Sequence, residues 1–283
     1  LFDTFNPAAA PSPLTDPDVY DGSSELSVVC TQTALTSREQ SKLVDRWCEA
    51  LPTFTAVKRL HFFSKVPQRL FDAACEMREL DSMFIKWSGI KQLDAVAQLQ
   101  QLRSLHLGSS GQVEFLEPLP SLVDLEVLEL EGLTRISDLS PLSRLVRLRS
   151  LKLAGGFSTD WCIDSLEPLS SLTSLEHLAL AALKVKDESL APVSGLRNLK
   201  ELRISNYFPV EQYALLAAKL PDVTPAITAI YARTTNNLKC SRCGGGTMLL
   251  PTGKGARWLC AECDAAKVAK KTTDFDKLVR RHA

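Results

Sequence analysis

The sequence has no excess charge of either sign: 33 Lys and Arg stand against 33 Asp and Glu in 283 residues. That balance argues against a protein that coats nucleic acid with its whole surface. No stretch approaches the roughly 18 consecutive apolar residues of a membrane helix, so no membrane partner is expected. Leu1 to Asp18 has no basic residue and no apolar run, which argues against a secretory signal. Aromatic residues make up only 7% of the chain, so any place where several gather is informative. Disorder is excluded as well, because 45% of the residues are hydrophobic.

What charge there is lies unevenly. Arg233 to Ala283 holds 11 basic and 4 acidic residues, net +7, which leaves 22 basic and 29 acidic, net −7, in the rest. Two electrically different modules are implied, in keeping with the length. The eight Cys are uneven too. Four form two Cys-x-x-Cys pairs near the C-terminus, while Cys30, Cys48, Cys75 and Cys162 are scattered and expected to be small buried hydrophobes. Clustered thiols read as metal ligands, which points to a reducing compartment, the cytoplasm.

Between these landmarks runs a repeat. Leu122, Leu125, Leu128 and Leu130 set a spacing that recurs at Leu99, Leu102, Leu105, Leu107 and at Leu145, Leu148, Leu151, Leu153. It returns at Leu172, Leu175, Leu178, Leu180 and at Leu196, Leu199, Leu202, Ile204, with two looser copies beginning at Phe54 and Met77. The starts lie 23, 22, 23, 23, 27 and 24 residues apart, and a weak closing copy would begin at Leu220. A second apolar set, as in Leu139-Ser-Pro-Leu142, marks the return path. Strand side chains alternate, so the third and fourth positions share one face. One coil cannot bury its own leucines, whereas stacked coils share a core.

These residues resemble the leucine-rich repeat family, in its short class of about 22–24 residues per repeat, as in internalins. The resemblance implies an α/β solenoid: a horseshoe with a parallel concave sheet. The family usually places an Asn three residues after the second strand leucine. Here those positions hold Lys65, Ser88, Ser110, Leu133, Gly156, Leu183 and Tyr207, so the usual turn ladder is missing.

The expected organisation is an extended, weakly ordered lead-in at 1–22, an N-terminal helical cap at 23–53, the solenoid at 54–232, and a zinc ribbon with basic tail at 233–283. In the cap, Leu26 to Cys30 reads as a strand, and Ser37 with Gln40 as a capping box opening a helix. Glu211 to Leu220 is a closing helix stopped by Pro221. The 27-residue repeat carries an insertion, Gly155 to Cys162, which is either a binding loop or neutral drift.

With parallel strands, the concave face has a central column of His61, Phe84, His106, Glu129, Lys152, Ala179 and Arg203. One step later come Phe63, Lys86, Gly108 and Glu131, with Trp87 just beyond; one step earlier come Arg59, Ser82, Ser104 and His177. Exposed aromatic and cationic groups on a rigid surface suit protein binding. The partner-binding residues expected are therefore Arg59, His61, Phe63, Phe84, Lys86, Trp87, His106, Glu129, Glu131, Lys152, His177 and Arg203, with the apolar anchors in the N-terminal half. Catalysis is not expected. His61 and His106 sit two strands apart, roughly 10 Å, with Phe84 between them and no nucleophile signature nearby.

Cys240-Ser-Arg-Cys243 and Cys260-Ala-Glu-Cys263, sixteen residues apart, match a four-thiolate zinc pattern. Gly244, Gly245 and Gly246 permit the positive φ of a tight knuckle. Thr247 to Leu250 and Arg257 to Leu259 can pair as a hairpin around Pro251-Thr-Gly-Lys-Gly. That turn is not a phosphate loop, since its Gly spacing is wrong. One structural Zn²⁺ is expected, whose removal unfolds residues from about 236 onward. The economical function is a non-enzymatic protein that captures a partner protein on the concave face, as an inhibitor of a toxin or enzyme in a bacterial cytoplasm or as a scaffold. The alternative is a nucleic-acid-binding adaptor acting through the basic ribbon and the tail, Asp264 to His282. No small-molecule substrate is expected.

Overall fold

The computed structural model describes residues 9–156, 159–223, 230–235 and 237–283. Each Leu-x-Leu (or its equivalent) forms a short strand: β1 Glu25–Val28, β2 Arg59–Phe62, β3 Ser82–Ile85, β4 Ser104–Leu107, β5 Val127–Glu131 and β6 Ser150–Ala154. The short β7 Trp161–Ile163 follows, then β8 His177–Ala181, β9 Leu183–Val185 and β10 Glu201–Ile204. Among the described residues, one eight-stranded sheet runs β1-β2-β3-β4-β5-β6-β8-β10. Its pairs are parallel throughout. The cap strand is thus the first rung of the sheet. Leu60, Leu105, Leu128, Leu151, Leu178 and Leu202 are all buried beneath it.

The return paths are mostly 3-10 turns: Asp94–Gln98, Leu119–Ser121, Ser140–Arg144 and Glu167–Ser171. Three of them carry Pro in the first two positions, where a fixed φ and a missing N–H cost nothing. The first return path is a true helix, α2 Gln68–Cys75, and a later one is the single helical turn α3 Ala191–Ser194. The cap helix is α1 Ser37–Ala50. Its capping box is Thr36 with Glu39, one residue earlier than the expected pair. Gln40 instead braces the loop before it, donating to Leu35 O and accepting from Gln32 N.

Residues 9–22 are better anchored than a weakly ordered lead-in. Leu14 N donates to Ser27 O at 2.8 Å, and Val29 N donates to Leu14 O at 3.0 Å. Trp47 Nε1 donates to Thr15 O, and Tyr20 stacks on Phe54. Residues 1–8 lie outside the described residues.

Hydroxyls do the work of the missing Asn ladder. Ser64 Oγ accepts from Cys30 N and Thr31 N at 3.1 and 3.2 Å. Ser88 Oγ accepts from Ile90 N and meets Ser110 Oγ at 2.8 Å, while Ser110 Oγ donates to Gly108 O. Near the far end, Ser205 Oγ accepts from Ala182 N. Ser64, Ser88 and Ser110 are buried, so these bonds have no water to replace them. Ser110→Ala is expected to cost about 1–3 kcal/mol, read as a lower urea midpoint at unchanged slope.

The insertion is largely structural. Thr159 onward leads into β7, which pairs parallel with β9 in a second, two-stranded sheet. Trp161 is completely buried, and its Nε1 donates to Ile136 O at 2.6 Å. Gly155 packs so tightly that a Cβ there would lie 2.5 Å from Ala182 O. Phe157 and Ser158, within the same insertion, lie outside the described residues.

The closing helix is α4 Val210–Lys219. Leu220 and Val223 are buried beyond it, and the strand positions of the weak closing copy, Ala226 and Thr228, lie outside the described residues. The C-terminal module is a three-stranded antiparallel sheet, β11 Tyr231–Thr235, β12 Met248–Pro251 and β13 Leu259–Cys260, followed by α5 Ala265–His282. The sheet thus begins two residues before the expected boundary, and β11 is a strand the hairpin reading missed. Arg257 and Trp258 precede the second hairpin strand instead of belonging to it.

This module docks on the end of the solenoid. Asn206 Nδ2 donates to Pro251 O at 3.1 Å, and its Oδ1 accepts from Gly253 N at 2.7 Å. Lys254 N donates to Phe208 O at 2.7 Å. Phe275 of α5 is buried in the same hydrophobic cluster as the repeat leucines, with Leu278 and Val279 packed against it.

Candidate functional site

The central column forms as the spacing requires. Ser27, His61, Phe84, His106, Glu129, Lys152, Ala179 and Arg203 are successive partners across the sheet. Arg59 and His177 sit one step earlier, and Glu131 one step later beside Ala154. The inward neighbours hold the strands rigid, so the concave side chains are fixed in rows about 4.8 Å apart.

Those side chains also hold one another. His61 Nε2 lies 2.9 Å from Glu25 Oε1, and Arg59 reaches Glu25 Oε2 at 2.7 Å. The Arg59 guanidinium is the main cause of Glu25's lowered pKa, whereas burial pushes the His61 imidazole down. The pair is then a carboxylate and a neutral ring whose Nε2–H donates, since an ionised carboxylate can only accept. Phe84 stacks on His106 at 4.4 Å between centroids and lies 5.9 Å from Phe63. On its other side, His106 Nδ1 meets Glu129 Oε2 at 2.9 Å, and Lys152 Nζ lies 3.5 Å from the same oxygen. Farther along, His177 and Arg203 both approach Glu201.

Burial corrects one expectation. Phe84 is 7% exposed and His61 2%, so neither is the exposed anchor that the sequence suggested. Phe63, Trp87, His106, Glu131, Lys152 and His177 are half-buried, and Glu129 is buried. Arg59, Lys86 and Arg203 are exposed. Lys86 Nζ lies over the Trp87 ring at 4.6 Å, and Trp87 Nε1 donates to Gln32 Oε1. Phe84→Ala is therefore a core-type change. It should lower stability by about 3–5 kcal/mol, measured by chemical denaturation.

Glu25 and Gln32 were missed from the sequence. Glu25 was findable, because aligning Leu26 and Val28 with the repeat leucines puts it in the Arg59 row. Gly108 also gains a reason: a Cβ there would lie 2.3 Å from Lys86 O, so the row can close only over a bare backbone.

The second site is the sulfur cluster. The Sγ atoms of Cys240, Cys243, Cys260 and Cys263 all lie within 4.8 Å of one another, close enough to bind a metal ion. Cys240–Cys263 is 3.9 Å and Cys243–Cys260 is 3.7 Å. A tetrahedral ion with thiolates at about 2.3 Å needs edges of about 3.8 Å, so the sulfurs fit. Backbone N–H groups of Cys243 and Arg242 draw the Cys240 thiol down to about 6. Gly244 and Gly246 adopt positive φ, while Gly245 does not; a Cβ on Gly246 would lie 2.8 Å from Cys260 Sγ. Asp264 braces the knuckle, accepting from Cys260 N at 3.0 Å and pairing with Arg242.

The scattered cysteines divide. Cys30 and Cys75 are buried, which pushes the Cys30 thiol up to about 12 and raises that of Cys75 too. Cys48 is half-buried and Cys162 is exposed, contrary to expectation. No helix among the described residues is long and apolar enough to cross a membrane.

Similarity to known proteins lies in the fold. Internalin C2 of Listeria monocytogenes superposes with a TM-score of 0.50 at 20% identity, covering 61% of this chain and 71% of that one. A second internalin of that organism, InlF, gives 0.38 at 17% identity over 62% of each chain. The ectodomain of the Arabidopsis thaliana receptor kinase GASSHO1/SCHENGEN3, in complex with Casparian strip integrity factor 2, gives 0.43 at 17% identity. That match covers 59% of this chain and 21% of the receptor. No protein-family model and no curated protein sequence matches. The fold is that of a leucine-rich repeat solenoid, and the four-cysteine module fits a zinc ribbon.

Proposed function

We propose that this chain is a non-enzymatic recognition protein that captures another protein on its concave sheet, inhibiting it by occlusion or holding it as a scaffold. One observation carries the reading. From Glu25 through His61, Phe84 and His106 to Glu129 and Lys152, rings and charges are locked against one another on a rigid parallel sheet. A surface already fixed in place loses little conformational freedom when a guest binds. Since Phe84 and His61 are buried, the first contacts fall to Arg59, Lys86, the Trp87 edge and Arg203.

The test is direct. A partner is captured from lysate, identified and purified, and its affinity for the Arg59→Glu, Lys86→Glu double variant is measured by calorimetry. Both side chains are exposed, but Arg59 also pairs with Glu25, so the melting temperature should fall by a few degrees with the fold kept by circular dichroism, while affinity falls at least about tenfold, roughly 1.4 kcal/mol. Unchanged affinity would remove this half of the face from the reading.

The metal we assign is zinc, in a structural role. Four thiolates are soft ligands and close the coordination shell, which leaves no open position for a reacting water. Metal analysis of the purified chain should return one zinc per molecule; iron, or no metal, would overturn the assignment. These thiols, together with unpaired Cys30 and Cys75, suit a reducing compartment, and the cytoplasm is the proposed location.

A further inference from the structure

We infer that the outward face of α5 is a docking surface for the phosphate backbone of duplex nucleic acid, bound without regard to base sequence. This stands apart from the concave face and does not depend on it. At 100° per residue, Lys270, Lys277 and Arg281 fall within about 40° of one another on the helix, with Lys267 about 60° and Lys271 about 100° round from Lys270 on one side. All five are exposed. Phe275 and Val279 lie on the opposite side, where Phe275 is buried in the solenoid core and Val279 packs against it. The helix is held in that orientation by the ribbon, since Tyr231 Oη lies 3.3 Å from Val268 O and 3.4 Å from Thr272 Oγ1.

Three features select the occupant. The row from Lys270 to Arg281 is about 17 Å long, and a duplex carries one negative charge per roughly 1.7 Å of its axis. A straight rigid row of cations therefore always finds phosphates in reach. Asp274 lies beside the row, 3.9 Å from Lys277, and offsets part of that lysine's charge, but the module as a whole holds 11 basic against 4 acidic residues. The apolar side of α5 is spent on the solenoid, so it has no wedge to insert into a bilayer, which an interfacial membrane helix needs. Finally, no exposed aromatic lies along the row: Phe275 is buried and Trp258 is half-buried, so a single strand gains no base-stacking platform. The net charge of −7 on residues 1–232 repels phosphate and confines contact to the C-terminal module, where α5 carries six of the eleven basic side chains.

The experiment is fluorescence anisotropy of the full zinc-loaded chain with a labelled duplex of about 20 base pairs. Neutralising about four phosphates predicts a loss of affinity of roughly 100-fold between 50 and 200 mM salt. The Lys270→Glu, Lys277→Glu, Arg281→Glu triple variant should lose binding by more than about 30-fold, whereas Lys86→Glu should not change it. Circular dichroism and zinc content would verify that the triple variant is folded. The inference is overturned by any of four results: no wild-type binding at 50 mM salt, binding that survives the triple variant, tighter binding to a single strand, or tighter binding to phosphatidylserine vesicles.

Discussion

Stripping the metal from the intact chain is expected to loosen the end of the solenoid as well as the module that holds it. A structural zinc contributes on the order of 10 kcal/mol to folding a unit of this kind, more than its few buried apolar residues can supply. The effect should then spread through the dock. Asn206 loses its bonds to Pro251 and Gly253, Phe208 O loses Lys254 N, and α4 loses the cover of Phe275. Hydrogen exchange after chelation should show lost protection from residue 230 to the C-terminus. It should also show faster exchange in α4 and β10, with β2 to β5 unchanged. Cys260→Ser should reproduce the pattern. If exchange changed only beyond residue 236, as the sequence suggested, the module would be an appendage and the dock energetically empty.

The second large effect is expected at Trp161. Replacing a fully buried Trp by Ala costs about 3–5 kcal/mol, because a packed core closes only part of a hole of that size. In a chain of this length that should lower the melting temperature by roughly 10 °C. Trp161→Phe separates the two contributions. It keeps most of the volume but orphans the Ile136 carbonyl, which should cost about 1–3 kcal/mol. A Trp161→Ala chain as stable as the parent would make the insertion a surface loop after all.

The repeat was legible because leucine spacing and strand geometry are one constraint: a single slip in register would turn every leucine to solvent. The order of the concave column followed from the same constraint, down to Phe84 between His61 and His106. Exposure did not. Whether Phe84 is open depends on Phe63, His61 and His106, which lie on or next to the two strands on either side of its own, and no local pattern encodes how those rings meet. The serine ladder stayed hidden for a similar reason. Ser is common in loops, and only burial distinguishes Ser88 and Ser110 from solvated ones. The metal ligands needed no such context, since two tight Cys pairs carry their own geometry. The docking of the ribbon was invisible because Asn206 and Gly253 are 47 residues apart and neither sits in a motif.

One hydrophobic cluster runs without a break from Leu26 to Phe275. Cutting the gene at the composition boundary near residue 233 would therefore yield neither half in working order. The longer fragment would end in a raw apolar scar where Phe275 had been, prone to clump, and the shorter would lack the wall against which α5 lies. The two roles assigned to this molecule have to be separated by changing single side chains in the whole chain, because the boundary in charge is not a boundary in structure.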